Sequence, residues 1–184
     1  MEYPKRKHPR LKQYDYSLPG YYYVTIHNQP HTPPLSRVGR GLAPAEAVLR
    51  LTRTGQIAEQ QLLALEQRYS QVKVDKYVIM PNHIHLILQL TEETAGASPR
   101  PTLPNIIGTY KSMVTRQCND VDHTPGRQLF QSSFYETVLR NERMYQSCWL
   151  YIEGNPSKWL EQETVGQVPA LQNKEENNDP RETG

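Results

Sequence analysis

The sequence predicts an α+β fold, with an antiparallel sheet packed with helices in a ferredoxin-like or RRM-like arrangement. Segments that read as strand or helix follow in the order strand, helix, strand-strand, helix, strand, helix. The two middle strands are joined by the turn Pro81-Asn82, which makes them an antiparallel pair. The helical segments carry their apolar residues on single stripes, as helices lying on a sheet do.

The elements follow in order. Gly20 punctuates, and Tyr21-Tyr-Tyr-Val-Thr-Ile26 is aromatic and β-branched, hence a strand. Asn28 to Pro34 is a proline-rich loop, and Val48 to Leu51 suits either a strand or a helix fragment. Thr54-Gly55 opens a helix to about Tyr69, with Ala58, Leu62, Leu65 and Tyr69 on one stripe. Val72 to Met80 is the second strand, and Tyr77 to Leu90 continues through the turn into a third. Thr91 to Pro101 is small and polar, a loop. Thr102 is placed to cap a helix bearing Leu103, Ile106, Ile107, Tyr110, Met113 and Val114. Gly126 precedes a strand over Leu129 to Leu139. The last helix opens at Asn141-Glu142 and is expected to stop before Pro156, whose ring disfavours a helical conformation in the residue before it.

At 184 residues, with 36% apolar content and a mean hydropathy of -0.75, the chain suits one domain with polar tails. The expected boundaries are a basic arm over 1–19, a single domain over 20–160, and a polar, acidic, disordered tail over 161–184. No apolar run approaches the roughly 20 residues that span a bilayer, and no signal-like apolar segment follows the N-terminus. Cys118 and Cys148 form no disulfide framework, so a cytoplasmic protein with reduced thiols is expected, with no membrane partner. There is no phosphate-binding glycine loop and no zinc-ribbon spacing, which argues against a nucleotide cofactor or a structural zinc.

The net charge of +2 conceals an asymmetry. From Glu161 onward six acidic residues face two basic ones, so that stretch carries -4 and the rest +6. The first 12 residues hold Lys5, Arg6, Lys7, Arg10 and Lys12 against Glu2 alone. With Tyr14, Tyr16 and Tyr21 to Tyr23 close by, this composition suits a polyanion, with cations for phosphates and rings for bases. A solvated leader explains the same composition.

Two local patterns carry chemistry. On a strand, His83 and His85 project from one face, while Ile84, Leu86, Leu88 and Leu90 project from the other. Paired imidazoles at that spacing supply half of a divalent-metal site, or are two partly exposed strand histidines with no ligand. On the last helix, Met144, Cys148, Tyr151 and Asn155 fall on one stripe, with a phenol and an amide four residues apart. Tyr151 is therefore either a functional phenol or a core tyrosine satisfied at its edge, and Asn155-Pro156 either a site element or a helix stop.

These residues carry a family resemblance. Arg10-Leu11 with Tyr14-Asp15-Tyr16, Met80-Pro-Asn-His-Ile-His85, Ile107 to Ser112, Phe130-Gln131 with Phe134-Tyr135-Glu136, and Tyr151-Ile-Glu-Gly-Asn-Pro156 with Trp159 occur in that order. The chain resembles the REP-associated tyrosine transposases, relatives of the single-tyrosine, HUH-type insertion-sequence transposases, from about Arg10 to Leu160. The resemblance implies a metal-dependent single-stranded DNA endonuclease and strand transferase. It would act at REP-type palindromic hairpins through a 5′-phosphotyrosine on Tyr151. It also implies Mg2+ or Mn2+ held by His83, His85 and Asn155; imidazole chemistry alone would favour zinc, nickel or copper.

Lys111 and Arg116 lie off the apolar stripe of their helix and are expected at DNA phosphates. Tyr110 is the second candidate nucleophile. His8, His27, His31 and His123 have no partner at ligand spacing along the chain and are set aside. Phe130 stands where relatives often carry tryptophan. A bacterial cytoplasmic protein, nucleoid-associated when bound to DNA, is expected, with a homodimer allowed. The competing reading is a non-catalytic, RRM-like nucleic-acid-binding module in which Tyr21 to Tyr23 and the basic arm do the binding.

Overall fold

The computed structural model describes residues 14–42, 47–92 and 101–164. Along the chain run β1 (Gly20–His27), β2 (Ser36–Arg40), β3 (Ala47–Leu51), α1 (Arg53–Leu63), α2 (Leu65–Arg68), β4 (Val72–Ile79), β5 (His83–Leu90), α3 (Leu103–Asp122), β6 (Tyr135–Leu139) and α4 (Glu142–Thr164). Four strands form one antiparallel sheet in the order β4-β5-β1-β6. With β2 and β3 pairing separately as a hairpin, the four core strands and the helices between them have the expected ferredoxin-like order.

Strand alternation sorts the sheet into two faces. Tyr22, Val24 and Ile26 of β1 and Ile84, Leu86, Leu88 and Leu90 of β5 point into the main core. There they meet Ile57, Ala58 and Leu62 of α1, Leu65 of α2, and the α3 stripe Leu103, Ile106, Ile107, Tyr110, Val114 and Cys118. Each fully buried aliphatic side chain contributes about 1.5–3 kcal/mol, so this layer holds the sheet to α1 and α3. The opposite face is covered by α4, whose Cys148 and Ile152 pack on Ile87 and Leu139. The histidines of β5 therefore lie beneath a helix.

Several local expectations change. The helix expected over 54–69 divides at Ala64 into α1 and α2. Thr52 caps α1, its hydroxyl accepting from the Gly55 N–H at 3.2 Å. Thr102 stands at the start of α3 but makes no side-chain cap bond. The last strand begins at Tyr135 rather than Leu129, the segment before it making an isolated bridge between Asn28 and Phe130. Pro156 does not end α4, which runs on to Thr164. The proline removes one donor from the ladder, but Ile152 and Asn155 on one side of it are buried against the protein, and this packing outweighs the lost bond. The part of the expected tail at 161–164 is accordingly helical, while 165–184 lies outside the described residues. The tyrosines expected to stack on bases are occupied: Tyr16 and Tyr22 belong to the core, and Tyr21 packs edge-on against Tyr145 at 5.2 Å.

Candidate active site

Antiparallel register places His27 opposite His83 and Thr25 opposite His85, with Tyr23 next along β1 on the same face. The His85 Nδ1 lies 2.8 Å from the Tyr23 hydroxyl and 3.0 Å from Thr25 Oγ1. The His83 Nδ1 lies 2.6 Å from Asn82 Oδ1, an oxygen that only accepts, so that nitrogen carries the proton. The two rings meet edge-on with centroids 4.5 Å apart. Each imidazole is thus held through Nδ1, and an Nδ1–H tautomer leaves Nε2 with a lone pair, as in oriented metal ligands.

Both rings are neutral. Desolvation, then the charge of His27, pushes His83 down to about 3, against a hydrogen bond with Asn155 that raises it. Desolvation, then the charges of His83 and His27, holds His85 well below the usual histidine range. The neutral imidazole is the ligating form.

Helix α4 supplies the remaining parts. Tyr151 sits half-buried with its ring 5.2 Å from that of His85 and 6.5 Å from that of Tyr23. Asn155, one turn further and 7% exposed, sets its side-chain amide beside both His83 and Tyr151. Burial raises the Tyr151 pKa, and the bond from Asn155 draws it back. Trp159 lies 6.4 Å from His83, and the Lys158 ammonium stands 5.0 Å from the Tyr151 ring centroid. The four residues expected at the site, His83, His85, Tyr151 and Asn155, are brought together.

Among the described residues no group of three His, Cys, Asp or Glu side chains is placed to hold an ion. The histidine pair would need Asn155 as a third, neutral oxygen donor. The paired imidazoles and the adjoining Asn155 amide supply the donor types for such a three-donor face.

The other expected residues fall elsewhere. Lys5, Arg6, Lys7, Arg10 and Lys12 lie outside the described residues. Lys111 donates to the main-chain carbonyls of Gln131 (2.5 Å) and Ser132 (2.9 Å). It thereby secures a segment whose Gln131 N–H bonds the His27 carbonyl at 2.9 Å. Arg116 is exposed, touching Met113 Sδ at 3.4 Å. Tyr110 is fully buried on the far side of the sheet from Tyr151, its hydroxyl donating to the Ala58 carbonyl at 3.1 Å. His31 and His123 occupy exposed turns with positive φ, but His27 is a neighbour of the site, its ring 5.7 Å from that of His83. Sequence reading does not place Tyr23, Thr25, His27 or Lys158 at this site: Tyr23 is read there as a base-binding ring and His27 is set aside. The period-two alternation of β1 would have found the first three once β1 was paired with β5.

No protein-family model matches the chain. An uncharacterized protein of Haemophilus influenzae is 25% identical over 169 residues, covering 84% of this chain and 89% of its own length. Among solved structures, a REP-associated tyrosine transposase bound to a REP hairpin matches with a TM-score of 0.58. The match has 19% identity and covers 86% of this chain and 75% of that one. A Deinococcus radiodurans protein aligns at a TM-score of 0.45 and 16% identity, over 79% of this chain and 95% of its own. The resemblance to REP-associated tyrosine transposases carried by the sequence blocks is thus met by a solved member with the same fold.

Proposed function

We propose that this protein is a metal-dependent, single-stranded DNA endonuclease and strand transferase that acts at REP-type palindromic hairpins with Tyr151 as nucleophile. The observation that carries the reading is the meeting of a helix-borne phenol with two neutral, pre-oriented imidazoles, with the Asn155 amide beside them. That the solved relative of like fold is bound to a REP hairpin supports the choice of substrate.

His83, His85 and Asn155 would hold Mg2+ or Mn2+, which when bound polarises a non-bridging oxygen of the scissile phosphate. Asn155, touching both His83 and Tyr151, fixes the phenol relative to the imidazoles. The Tyr151 oxygen attacks phosphorus and loses its proton, and the bond from phosphorus to the 3′-oxygen breaks. That oxygen takes up a proton and leaves as a 3′-hydroxyl, and the other strand end remains as a 5′-phosphotyrosine. A phenol of reference pKa near 10 is also a competent leaving group, so the step reverses without a nucleotide cofactor. The Lys158 ammonium beside the ring favours the phenolate that appears on reversal. The basic arm over 1–19 and Arg116 would add phosphate contacts to the domain over 20–160.

The RRM-like alternative is weakened by α4, which lies on the sheet face that an RRM keeps open for stacking bases. A Tyr151→Phe variant should bind a stem-loop oligonucleotide as the parent does yet yield neither nicked nor covalently attached DNA with Mn2+. Cleavage by that variant would remove Tyr151 from the mechanism.

A further inference from the structure

We infer that the β2–β3 hairpin is a phosphate-gripping arm for the DNA strand that enters the site, with Arg37 and Arg50 as its contacts. The inference rests on the functional reading above and adds a surface to it. Arg37 and Arg50 are direct cross-strand partners in the hairpin and both are exposed. Among the described residues neither has an acidic or hydrogen-bonding partner. Like charges directly opposite on an antiparallel pair work against the pairing. Arg53, also exposed, adds a third cation in the first turn of α1, where the helix dipole disfavours positive charge. Three cations thus stand where local electrostatics opposes them, and an anion between the two strand arginines would reverse the sign of the interaction. Guanidinium groups suit phosphate oxygens because each offers a planar, two-pronged set of donors.

The arm is tied to the candidate site. Leu35, just before β2, donates its N–H to the Pro81 carbonyl at 2.9 Å, two residues before His83. Thr52, just after β3, closes the base by donating its N–H and its hydroxyl to the Leu35 carbonyl, each at 2.9 Å. The hairpin also packs against α4, the helix that carries Tyr151 and Asn155. A strand threading toward the phenol would pass within reach of an element built on the same turn that delivers His83.

The test uses the full chain, a fluorescent stem-loop oligonucleotide with a single-stranded flank, and a series of salt concentrations. Arg37→Glu turns a repulsive cross-strand pair into an attractive one, so its melting temperature should rise by about 1–3 °C. Its DNA affinity should nonetheless fall about 10-fold, with the slope of log affinity against log salt shallower by about 1. Arg50→Gln should reproduce the loss of slope with a smaller gain in stability, since it removes the repulsion without adding an attraction. Unchanged affinity and slope in both variants, while the parent binds, would overturn the arm and leave the functional reading standing. A joint fall in stability and affinity would assign the arginines to packing and overturn it equally. If the parent itself fails to bind the stem-loop at low salt, the functional reading falls and the arm with it.

Discussion

Gly55 joins the hairpin, the first helix and the turn before His83, and replacing it with alanine perturbs all three. A Cβ at position 55 would stand 1.9 Å from the Leu35 carbonyl oxygen, 2.9 Å from its carbon and 3.3 Å from a Leu51 methyl. Relief of the first contact moves backbone by more than an ångström, since the obstacle is a carbonyl and not a flexible side-chain end. The Leu35 carbonyl accepts from the Thr52 N–H, and the Leu35 N–H donates to the Pro81 carbonyl. Helix propensity alone would favour alanine by about 1 kcal/mol. Against this stand about 2 kcal/mol of overpacking and two backbone hydrogen bonds at about 1 kcal/mol each. The net is a destabilisation of about 3 kcal/mol, or about 6–12 °C in melting temperature for a chain of this size. Gly108→Ala is the control: it lies on α3 with nothing within 4 Å of the added carbon, and should gain about 1 kcal/mol. Thermal unfolding followed by circular dichroism reads both. A Gly55→Ala protein that melts at or above the parent would refute the packing at Leu35 and the link between hairpin and site drawn from it.

Three other outcomes follow from the same geometry. Tyr23→Phe removes the hydroxyl 2.8 Å from His85 Nδ1, and Mn2+ affinity measured by calorimetry should drop about 10-fold; an unchanged value would show that the bond does not orient the ring. Tyr110→Phe gives up one buried hydrogen bond, costing about 1 kcal/mol in denaturant unfolding, and should cleave DNA like the parent; loss of cleavage in a folded protein would move the nucleophile to α3. Lys111→Met breaks two bonds to main-chain carbonyls and should lower stability by about 2 kcal/mol while leaving the salt slope of DNA binding unchanged; a shallower slope would restore Lys111 to the phosphate contacts.

The parts of the fold legible in the sequence are those where one period dominates. The alternation of β5 and the stripe of α3 each have a deep apolar core on one side, so the pattern is strong. Ser36–Arg40 of the β2–β3 hairpin carries no strand pattern in sequence because it pairs outside the main sheet and exposes arginine and glycine. The helix runs through Pro156 against the sequence expectation because the rule against proline in helices is local. The burial of Ile152 and Asn155 that overrides it depends on a sheet far away in sequence. The site divides in the same way. His83, His85, Tyr151 and Asn155 each sit in a pattern readable along one element. His27 and Tyr23 matter only through cross-strand register, which a linear reading of spacing does not contain.

The central claim is that the α4 phenol becomes covalently joined to DNA. Incubating the full chain with a labelled stem-loop oligonucleotide and Mn2+, followed by peptide mass spectrometry, tests this directly. A nucleotide mass on the peptide bearing Tyr151, absent when the metal is chelated, is the predicted result. An adduct on another residue, or cleaved DNA with no adduct anywhere, would contradict it.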